Sequence, residues 1–237
     1  MKTIYHAADS RGDANHGWLK SRHTFSFANY HNPERVGFGA LRVINDDFVI
    51  GGQGFGKHSH RNMEIISILL SGKLAHGDSI GNEGVIETGE IQVMSAGTGI
   101  THSEMNGDDA EAVRFLQIWV IPNKMDVAPR YQQVHMGDIM RPNELSQVLS
   151  PNADDAGVWI HQDAWFSMGG FDEGISQTYQ LNDSNNGVYV FVISGEVVID
   201  GQVLSIRDGL CIWDTQSFTM DATVASRVLV MEVPLFM

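Results

Sequence analysis

Four side chains near the middle of the chain have the types and the spacing needed to bind a metal ion. His58 and His60 lie two residues apart, and so do His102 and Glu104. In an extended strand, residues i and i+2 point to the same face, so each pair would present its two side chains together. If the two strands are neighbours in one sheet, all four groups converge on one point.

These groups suit a reactive metal centre. Imidazole and carboxylate bind borderline divalent metals such as iron, manganese, nickel, copper or zinc. Three neutral histidines and one carboxylate leave a divalent ion with a net charge of about +1 and, at six-coordination, with open positions for other ligands. The competing interpretation is that His58 and His60 lie in a solvated glycine-rich loop and that His102 is a structural histidine. The combination favours a metal, because each pair follows a glycine cluster and an apolar strand, Ile65 to Leu70, lies between them.

The spacing also resembles the cupin superfamily and, within it, the pirin family. The first cupin motif is a glycine, five residues, His-x-His, three residues and a glutamate, and the chain matches it at Gly52, His58, His60 and Glu64. The end of the second motif is matched at Gly99, His102 and Asn106. Gly97 replaces the usual proline of that motif, and Gly72 comes one residue late after the first. Both departures are typical of pirins.

Further segments resemble pirins from the start of the chain to residue 122. They are His16-Gly17-Trp18-Leu19, His23-Thr24-Phe25-Ser26-Phe27, Gly39-Ala40-Leu41-Arg42-Val43, His58 to Glu64, His76-Gly77-Asp78-Ser79 and Met94 to Gly99. The resemblance implies one divalent transition metal ion, with iron as the first expectation and manganese, nickel, cobalt, copper or zinc as alternatives. It implies that the ligands are His58, His60, His102 and Glu104, and that Glu64 does not contact the metal.

Composition narrows the class of protein. Of the 237 residues, 43% are hydrophobic and 19% are charged, as in a globular chain with a sizeable core. The 29 acidic residues outnumber the 15 basic ones and give a formal charge of -14. With no basic stripe to neutralise phosphates, we expect no direct binding to nucleic acid and none to anionic membranes.

The termini and the cysteine content favour a cytoplasmic protein. Residues 1–6 contain no apolar signal core, and no apolar run approaches the roughly 18 residues of a spanning helix. The single cysteine, Cys211, excludes an internal disulfide. It lies in the apolar run Leu210 to Trp213, so we interpret it as a core residue and not as a nucleophile.

Strand signals dominate the chain. Runs rich in Val, Ile, Phe and Tyr, separated by Gly, Asp and Asn, predict strands over residues 39–44, 48–51, 64–70, 90–95, 113–121, 188–193, 203–206, 210–213 and 227–233. Only residues 142–149, opened by Pro142-Asn143-Glu144, are predicted to be a helix. The fold class is therefore all-β, a sandwich or barrel.

An internal repeat predicts two copies of one β unit. Residues 68–73 are echoed by residues 192–196, and residues 89–94 by residues 209–213. With the resemblance, this predicts two tandem antiparallel β-barrels of the double-stranded β-helix type, a bicupin. We expect a metal-binding N-terminal domain over residues 1–128, a C-terminal domain without metal ligands over residues 129–237, and a linker from Pro122 to Pro129.

The second copy lacks candidate ligands. Counting from its glycines by the spacing of the first copy reaches Leu181 and Asp183, and then Ala222 and Val224. Residues 175–237 contain no histidine. We expect this half to be a structural barrel that braces the first.

The remaining histidines and the glycines have structural interpretations. We interpret His16, His23 and His31 as packing residues beside aromatic neighbours, His76 to Ser79 as a turn, and His135 and His161 as solvated or structural. The glycines before the histidines, at positions 54, 56, 97 and 99, are expected to allow positive φ or close backbone approach. Without a following helix they predict no nucleotide site.

The resemblance implies a function. It implies a quercetin 2,3-dioxygenase-like oxidoreductase, in which a flavonol binds the metal through its deprotonated 3-hydroxyl and O₂ opens the heterocycle with loss of carbon monoxide. Glu104 would accept the hydroxyl proton. The partners are then a small aromatic substrate and O₂, and we expect a monomer. The alternatives are a non-enzymatic metal- and redox-sensing regulator of a protein partner, or a stress protein with a vestigial site.

Overall fold

The computed structural model describes residues 1–235, and nearly all of its regular elements are strands. The first twelve are β1 (Lys2–His6), β2 (Gly12–Asn15), β3 (Leu19–His23), β4 (Leu41–Val49), β5 (Gly54–His60), β6 (Glu64–Ser71), β7 (Lys73–Asp78), β8 (Glu83–Glu87), β9 (Glu90–Ser95), β10 (Ile100–Asn106), β11 (Val113–Val120) and β12 (Arg130–His135). The next ten are β13 (Ser146–Ser150), β14 (Val158–Trp159), β15 (Trp165–Phe171), β16 (Ser176–Gln180), β17 (Asn186–Ser194), β18 (Glu196–Ile199), β19 (Gln202–Ser205), β20 (Gly209–Trp213), β21 (Ser217–Ala222) and β22 (Ser226–Pro234).

Two short 3-10 helices, Ala8–Ser10 and Met136–Asp138, complete the regular structure of residues 1–235. Within that range no helix has the length and apolar character needed to cross a membrane.

The strands form two units with the same topology. The first unit has a seven-stranded sheet in the order β12-β9-β6-β11-β4-β3-β2 and a four-stranded sheet in the order β5-β10-β7-β8. The second has a seven-stranded sheet in the order β1-β20-β17-β22-β15-β13-β14 and a four-stranded sheet in the order β16-β21-β18-β19. Strand by strand, the second unit repeats the first. The predicted fold of two tandem β-barrels is confirmed, and its pairs are antiparallel apart from β13 and β14.

Each barrel takes one edge strand from the other half of the chain. Strand β1 pairs with β20 and so belongs to the second barrel, whereas β12 pairs with β9 and belongs to the first. Residues 121–129, which include the predicted linker, contain no strand. The domain boundary between residues 128 and 129 stays a prediction. Each large sheet contains an edge strand from the other side of this boundary, β1 in one and β12 in the other.

The two large sheets pack face to face, and their other faces line the barrel interiors, or lumens. On β6, Ile66 and Ile68 belong to a core shared by both barrels, while Ile65 and Leu69 belong to clusters inside the first lumen. A strand that is buried on both faces explains the continuous apolar run seen in the sequence. Cys211 lies in the shared core, as predicted.

The helix predicted over residues 142–149 is wrong. Residues 142–144 form a turn in which Asn143 has a positive φ of 62°. Residues 146–150 are strand β13, paired with β15. Val148 and Leu149 are fully buried in the shared core. Sheet pairing and burial therefore override the local signal for a helix start.

The strands predicted over residues 39–44 and 48–51 are one strand, β4. The polar residues between them, Asn45 to Asp47, do not form a turn. Asn45 and Asp47 are 3% exposed, and both continue the strand pairing to β3 and β11. The first lumen therefore accepts polar side chains in the middle of a central strand.

Candidate metal centre

Three of the four predicted ligands meet in the first barrel. Strands β5 and β10 are antiparallel neighbours, and His102 lies opposite His58. The ring centroids are 4.4 Å apart for His58 and His102, 4.8 Å for His58 and His60, and 5.0 Å for His60 and His102. One ring nitrogen from each lies within 4.8 Å of the other two. Two nitrogens bound to one ion lie at most about 4.2 Å apart, because a metal-nitrogen bond is about 2.1 Å long, so small shifts of the side chains would let a single ion contact all three.

Hydrogen bonding leaves these histidines free to bind a cation. His58 Nδ1 lies 2.8 Å from the carbonyl oxygen of Gly56, so it carries the proton and the Nε2 lone pair is free. His102 is 1% exposed, and neither of its ring nitrogens has a hydrogen-bond partner within residues 1–235. An unpartnered buried polar atom is costly, and a metal ion would satisfy it. The donor set therefore fits a divalent transition metal.

The charge state of the rings agrees with this use. Burial, followed by the effects of His58 and His60, lowers the pKa of His102 to about 3. Burial, followed by the effect of His58, lowers the pKa of His60 to about 4. Both rings are neutral at pH 7, which is the form that binds a metal.

The glycines near the site meet two different requirements. Gly97 and Gly99, in the turn between β9 and β10, have φ angles of 45° and 136°, as predicted. Gly54 and Gly56 lie in β5 without positive φ, so that part of the expectation is wrong. A Cβ atom on Gly54 would lie 2.5 Å from Met105 Cα, so this glycine permits close approach of β5 and β10.

Glu104 points into the same lumen as His102 but lies outside the group of three histidines. Burial alternates along β10, with His102 and Glu104 inside. The Glu104 carboxylate accepts a hydrogen bond of 2.8 Å from Gln117 Nε2, and its other oxygen lies 3.2 Å from Ser67 Oγ. Ser67 and Gln117 are opposite each other on β6 and β11. The sequence reasoning missed both, although each is a polar residue inside an apolar strand.

Proton counting in this network favours a neutral Glu104 in the absence of a metal. Ser67 Oγ also lies 2.7 Å from Gln117 Oε1, but a hydroxyl has only one proton to donate. If Ser67 donates to Gln117, then Glu104 must donate to Ser67, and the three side chains close a ring. Burial raises the pKa of Glu104 to about 7. The hydrogen bonds with Ser67 and Gln117 oppose that shift, so near neutral pH this carboxyl group can both take up and release a proton.

Glu64 lies on the other side of the sheet. On β6 it lies on the same face as Ile66 and Ile68, which belong to the core between the barrels, and not on the face of the lumen residues. Its carboxylate accepts a 2.6 Å hydrogen bond from Ser95 Oγ. Burial raises the pKa of Glu64 to about 7, and nearby Arg130 opposes that shift. The position agrees with the expectation that Glu64 does not contact the metal.

His76 is another residue whose position the sequence analysis did not predict. The segment interpreted as a turn is the end of β7, with the turn beginning only at Ser79. His76 is 4% exposed, lies opposite Glu104, and its ring centroid is 5.5 Å from that of His102. Its Nε2 is 3.1 Å from Asp78 Oδ2. The signal for this arrangement was present, because His76 and Asp78 are also spaced i, i+2.

The second barrel fills the equivalent positions with apolar side chains. In the matching ladder of β16 and β21, Tyr179 lies opposite Phe218, where the first barrel has His58 opposite His102. Met220 lies opposite Ile199, where the first barrel has Glu104 opposite His76. These positions differ by a few residues from those counted in the sequence, but the conclusion is the same. The second lumen has no ligand set at this place.

Comparisons with known proteins agree with the fold. Residues 5–120 match the family model for pirin, and residues 147–233 match the model for the quercetinase C-terminal cupin domain. The chain is 44% identical over 227 residues to the quercetin 2,3-dioxygenase of Escherichia coli K12, with 96% of each chain covered. It is 38% identical over 215 residues to a pirin-like protein of Caulobacter vibrioides, covering 90% of this chain and 92% of the other.

A solved structure extends the likeness to a metal complex. The bacterial pirin YhhW of Escherichia coli in complex with nickel(II) superimposes with a TM-score of 0.94 at 42% identity, over 99% of this chain and 100% of that one. Sequence similarity at this level over the whole length, with both domain models matched, shows common family membership. The chain belongs to the pirin family.

Proposed function

We propose that the protein is a metal-dependent dioxygenase that opens the heterocycle of a flavonol such as quercetin with O₂. The observation that carries the proposal is the convergence of three histidines beside a carboxyl group that hydrogen-bonds Ser67 and Gln117. The quercetin 2,3-dioxygenase name of the Escherichia coli relative supports the substrate class.

His58, His60 and His102 would hold the ion, and we propose Glu104 as its fourth ligand and as the proton acceptor. Iron is our first expectation for the metal, and the relative of known structure binds nickel. When bound, a divalent ion supplies a Lewis acid that lowers the pKa of a coordinated hydroxyl group. Glu104 takes up the proton that the hydroxyl loses, and the ring with Ser67 and Gln117 then stabilises the protonated carboxyl group.

The surroundings of the histidines suit an aromatic ligand. Phe55 lies 6.5 Å from His58 and Trp119 lies 5.0 Å from His60, both measured between ring centroids. Apolar walls exclude water from the reacting groups and so strengthen the electrostatic interactions among them. The remainder of the lumen is lined by apolar clusters above and below the polar residues.

Oxygen uptake by metal-loaded protein tests the proposal. The protein is purified without oxygen, its metal content is measured, and O₂ consumption and carbon monoxide release are followed with a panel of flavonols. In the wild type we expect carbon monoxide release in proportion to O₂ consumption. In the His58→Ala,His60→Ala variant we expect no activity and little metal. Full metal loading with no O₂ uptake on any flavonol would contradict the enzyme and favour the metal-sensing regulator.

A further inference from the structure

A cavity beside the histidines contains a row of polar groups that the metal chemistry does not use. The cavity has a volume of about 270 Å³, and its walls come mainly from β3, β4 and β5. Two aromatic residues of its wall adjoin the metal centre: Phe55 neighbours His58, and Phe27 contacts Trp119 at 5.4 Å, which in turn contacts His60. None of the candidate ligands lines the cavity, but its aromatic wall is the same set of rings that adjoins the metal centre.

Four polar side chains line this cavity as two cross-strand pairs, Ser21 opposite Asp47 and His23 opposite Asn45. We call these four residues the lumen ladder. All four are buried, with exposed fractions of 3% or 4%, and burial alternates along β3 so that the residues between them face outwards. Each has a polar atom without a hydrogen-bond partner in the described part of the chain. These atoms are Ser21 Oγ, His23 Nδ1, Asn45 Oδ1 and Asp47 Oδ1.

Four unpartnered buried atoms in one cavity require an explanation. Native proteins leave few such groups, and each one costs stability unless a ligand or water satisfies it. The set is rich in acceptors. Asn45 Oδ1 can only accept a hydrogen bond, and so can a carboxylate oxygen of Asp47 when Asp47 is ionised. Burial raises the pKa of Asp47 to about 7, and the neighbouring Ser21 hydroxyl opposes that shift, so near neutral pH Asp47 can also donate. A matching ligand must therefore bring several hydroxyl groups.

The second barrel keeps only part of this polarity, because Asn45 and His23 correspond to the polar residues Ser167 and Gln147. Through the equivalent strand pairs, the position of Asp47 corresponds to Gly169, opposite Val228, and that of Gln117 corresponds to Val230, opposite Val190. The second lumen contains one continuous apolar cluster and, at the position of Asn45, the buried polar residue Ser167. In the first lumen, polar residues separate two apolar clusters. Asp47 and Gln117 are therefore not needed to close a barrel of this architecture, which leaves ligand binding as their role.

We propose that the lumen ladder recognises the hydroxyl groups on the substrate ring that lies away from the metal, and so selects polyhydroxylated aromatic substrates. The aromatic residues of the cavity wall support this assignment, because Trp18 and Phe55 pack edge to face at 5.3 Å and Phe27 lies 5.2 Å from His23. A volume near the lower end of the roughly 300–1,000 Å³ of drug-sized pockets fits one ring with its hydroxyls. The inference rests on the proposed function for the class of ligand.

Binding measured without turnover tests the ladder. Metal-loaded protein is titrated under argon, by calorimetry, with galangin, kaempferol and quercetin, which carry none, one and two hydroxyls on the remote ring. A net contribution of a few-fold per hydrogen bond leads us to expect quercetin to bind about 10-fold more tightly than galangin, with kaempferol between them. Under oxygen, the same preference should appear mainly in KM, because the ladder contacts a ring that does not react.

Variants separate recognition from folding. In Asn45→Leu and Asp47→Leu we expect the preference for quercetin over galangin to fall below about 3-fold, while Asp47→Asn, which keeps an acceptor, retains most of it. Ser21→Ala removes one hydroxyl and should halve the preference. It is the variant to use if the leucine variants do not fold. The control is Arg22→Gln, on the same strand, whose side chain faces outwards in an exposed ion pair with Asp13.

The outcomes are distinct from those for the proposed function. If the wild type binds the flavonols selectively, the ladder variants abolish that selectivity and no O₂ is consumed, the lumen ladder is supported and the dioxygenase activity is contradicted. Equal binding of the three flavonols by the wild type, no binding of any of them, or an unchanged preference in every ladder variant would overturn the ladder. In those cases the cavity holds only water.

Discussion

At the scale of single residues, the histidines explain both why a metal binds and what its loss costs. Among residues 1–235, neither ring nitrogen of His102 has a hydrogen-bond partner, and His58 and His60 face it across a few ångströms. Without an ion, the buried nitrogens stay unsatisfied and the protein loses the free energy of binding. Metal binding and fold stability are therefore coupled.

Removing the metal should lower thermal stability. At a free metal concentration of about 100 times Kd, binding stabilises the folded state by about 2.7 kcal/mol, which corresponds to a Tm shift of roughly 5–10 °C for a chain of this size. Calorimetry with and without a chelator measures the shift. The His58→Ala,His60→Ala variant is the control, and its Tm should not respond to the chelator.

Glu64 predicts a pH dependence that has no connection with the metal. Its pKa is raised from the ordinary 4.5 to about 7 by burial, so the folded state holds the proton more tightly than the unfolded state does. The associated stability is fully present below about pH 4.5 and is lost as the pH rises through 7. At about 1.4 kcal/mol per pKa unit, the loss is on the order of 3 kcal/mol.

The Glu64→Gln variant cannot lose this proton. Its free energy of unfolding, relative to that of the wild type, should therefore rise between pH 4.5 and pH 7 and stay level outside that window. Urea denaturation at a series of pH values measures the difference. A difference that does not change with pH would show that Glu64 titrates alike in the folded and unfolded states.

At the scale of strands and turns, the ligand pairs depend on how β9 leads into β10. Gly97 has a φ of 45°, and a Cβ atom there would collide with the backbone carbonyl oxygen of Val127. The turn positions the first residues of β10 and, two residues further along, His102. Strain caused by a side chain at position 97 would therefore be transmitted to His102.

Gly97→Ala should destabilise the protein by about 2–4 kcal/mol, the sum of the cost of positive φ and of overpacking. It should also lower metal stoichiometry, as measured by elemental analysis of purified protein. Gly84→Ala is the matched control, because Gly84 lies in β8 without positive φ and with open space around it. We expect that variant to differ from the wild type by less than about 0.5 kcal/mol.

Sequence patterns predict the elements that local chemistry determines and fail where distant contacts decide. The paired histidines could be found because spacing i, i+2 fixes their common face, and the apolar runs fix most of the long strands. Residues 142–149 could not be assigned, because pairing with β15 decides their state. Ser67, Gln117 and Asp47 carry no local motif, and their proximity depends on three strands that are far apart in the chain. The one available signal was a polar residue in an apolar or central strand.

At the scale of the whole molecule, the duplication is interlocked. Strand β1 belongs to the second barrel and β12 to the first, and one apolar core is shared by both large sheets. Cutting the chain between residues 128 and 129 would leave β9 and β20 without an edge partner and would expose that core. The halves are related by repetition but are not independent in structure.

We expect neither residues 1–128 nor residues 129–237 to fold alone as a monomer. Size-exclusion chromatography and NMR spectra of the separate fragments test this, and mixing the two should restore a folded complex. A well-dispersed spectrum from either monomeric fragment would show that its barrel does not need the exchanged strand.

The most direct test of the central claim compares Glu104→Gln with Glu64→Gln. Glutamine is the neutral isostere of protonated Glu104, so it preserves the ring with Ser67 and Gln117 but cannot take up a proton. We predict that Glu104→Gln keeps most of its metal on the three histidines while flavonol oxidation falls on the order of 10²-fold, the scale of a lost general base. Glu64→Gln should keep both metal and activity. If Glu64→Gln lost the metal while Glu104→Gln kept full turnover, the assignment of Glu104 as ligand and proton acceptor would be wrong.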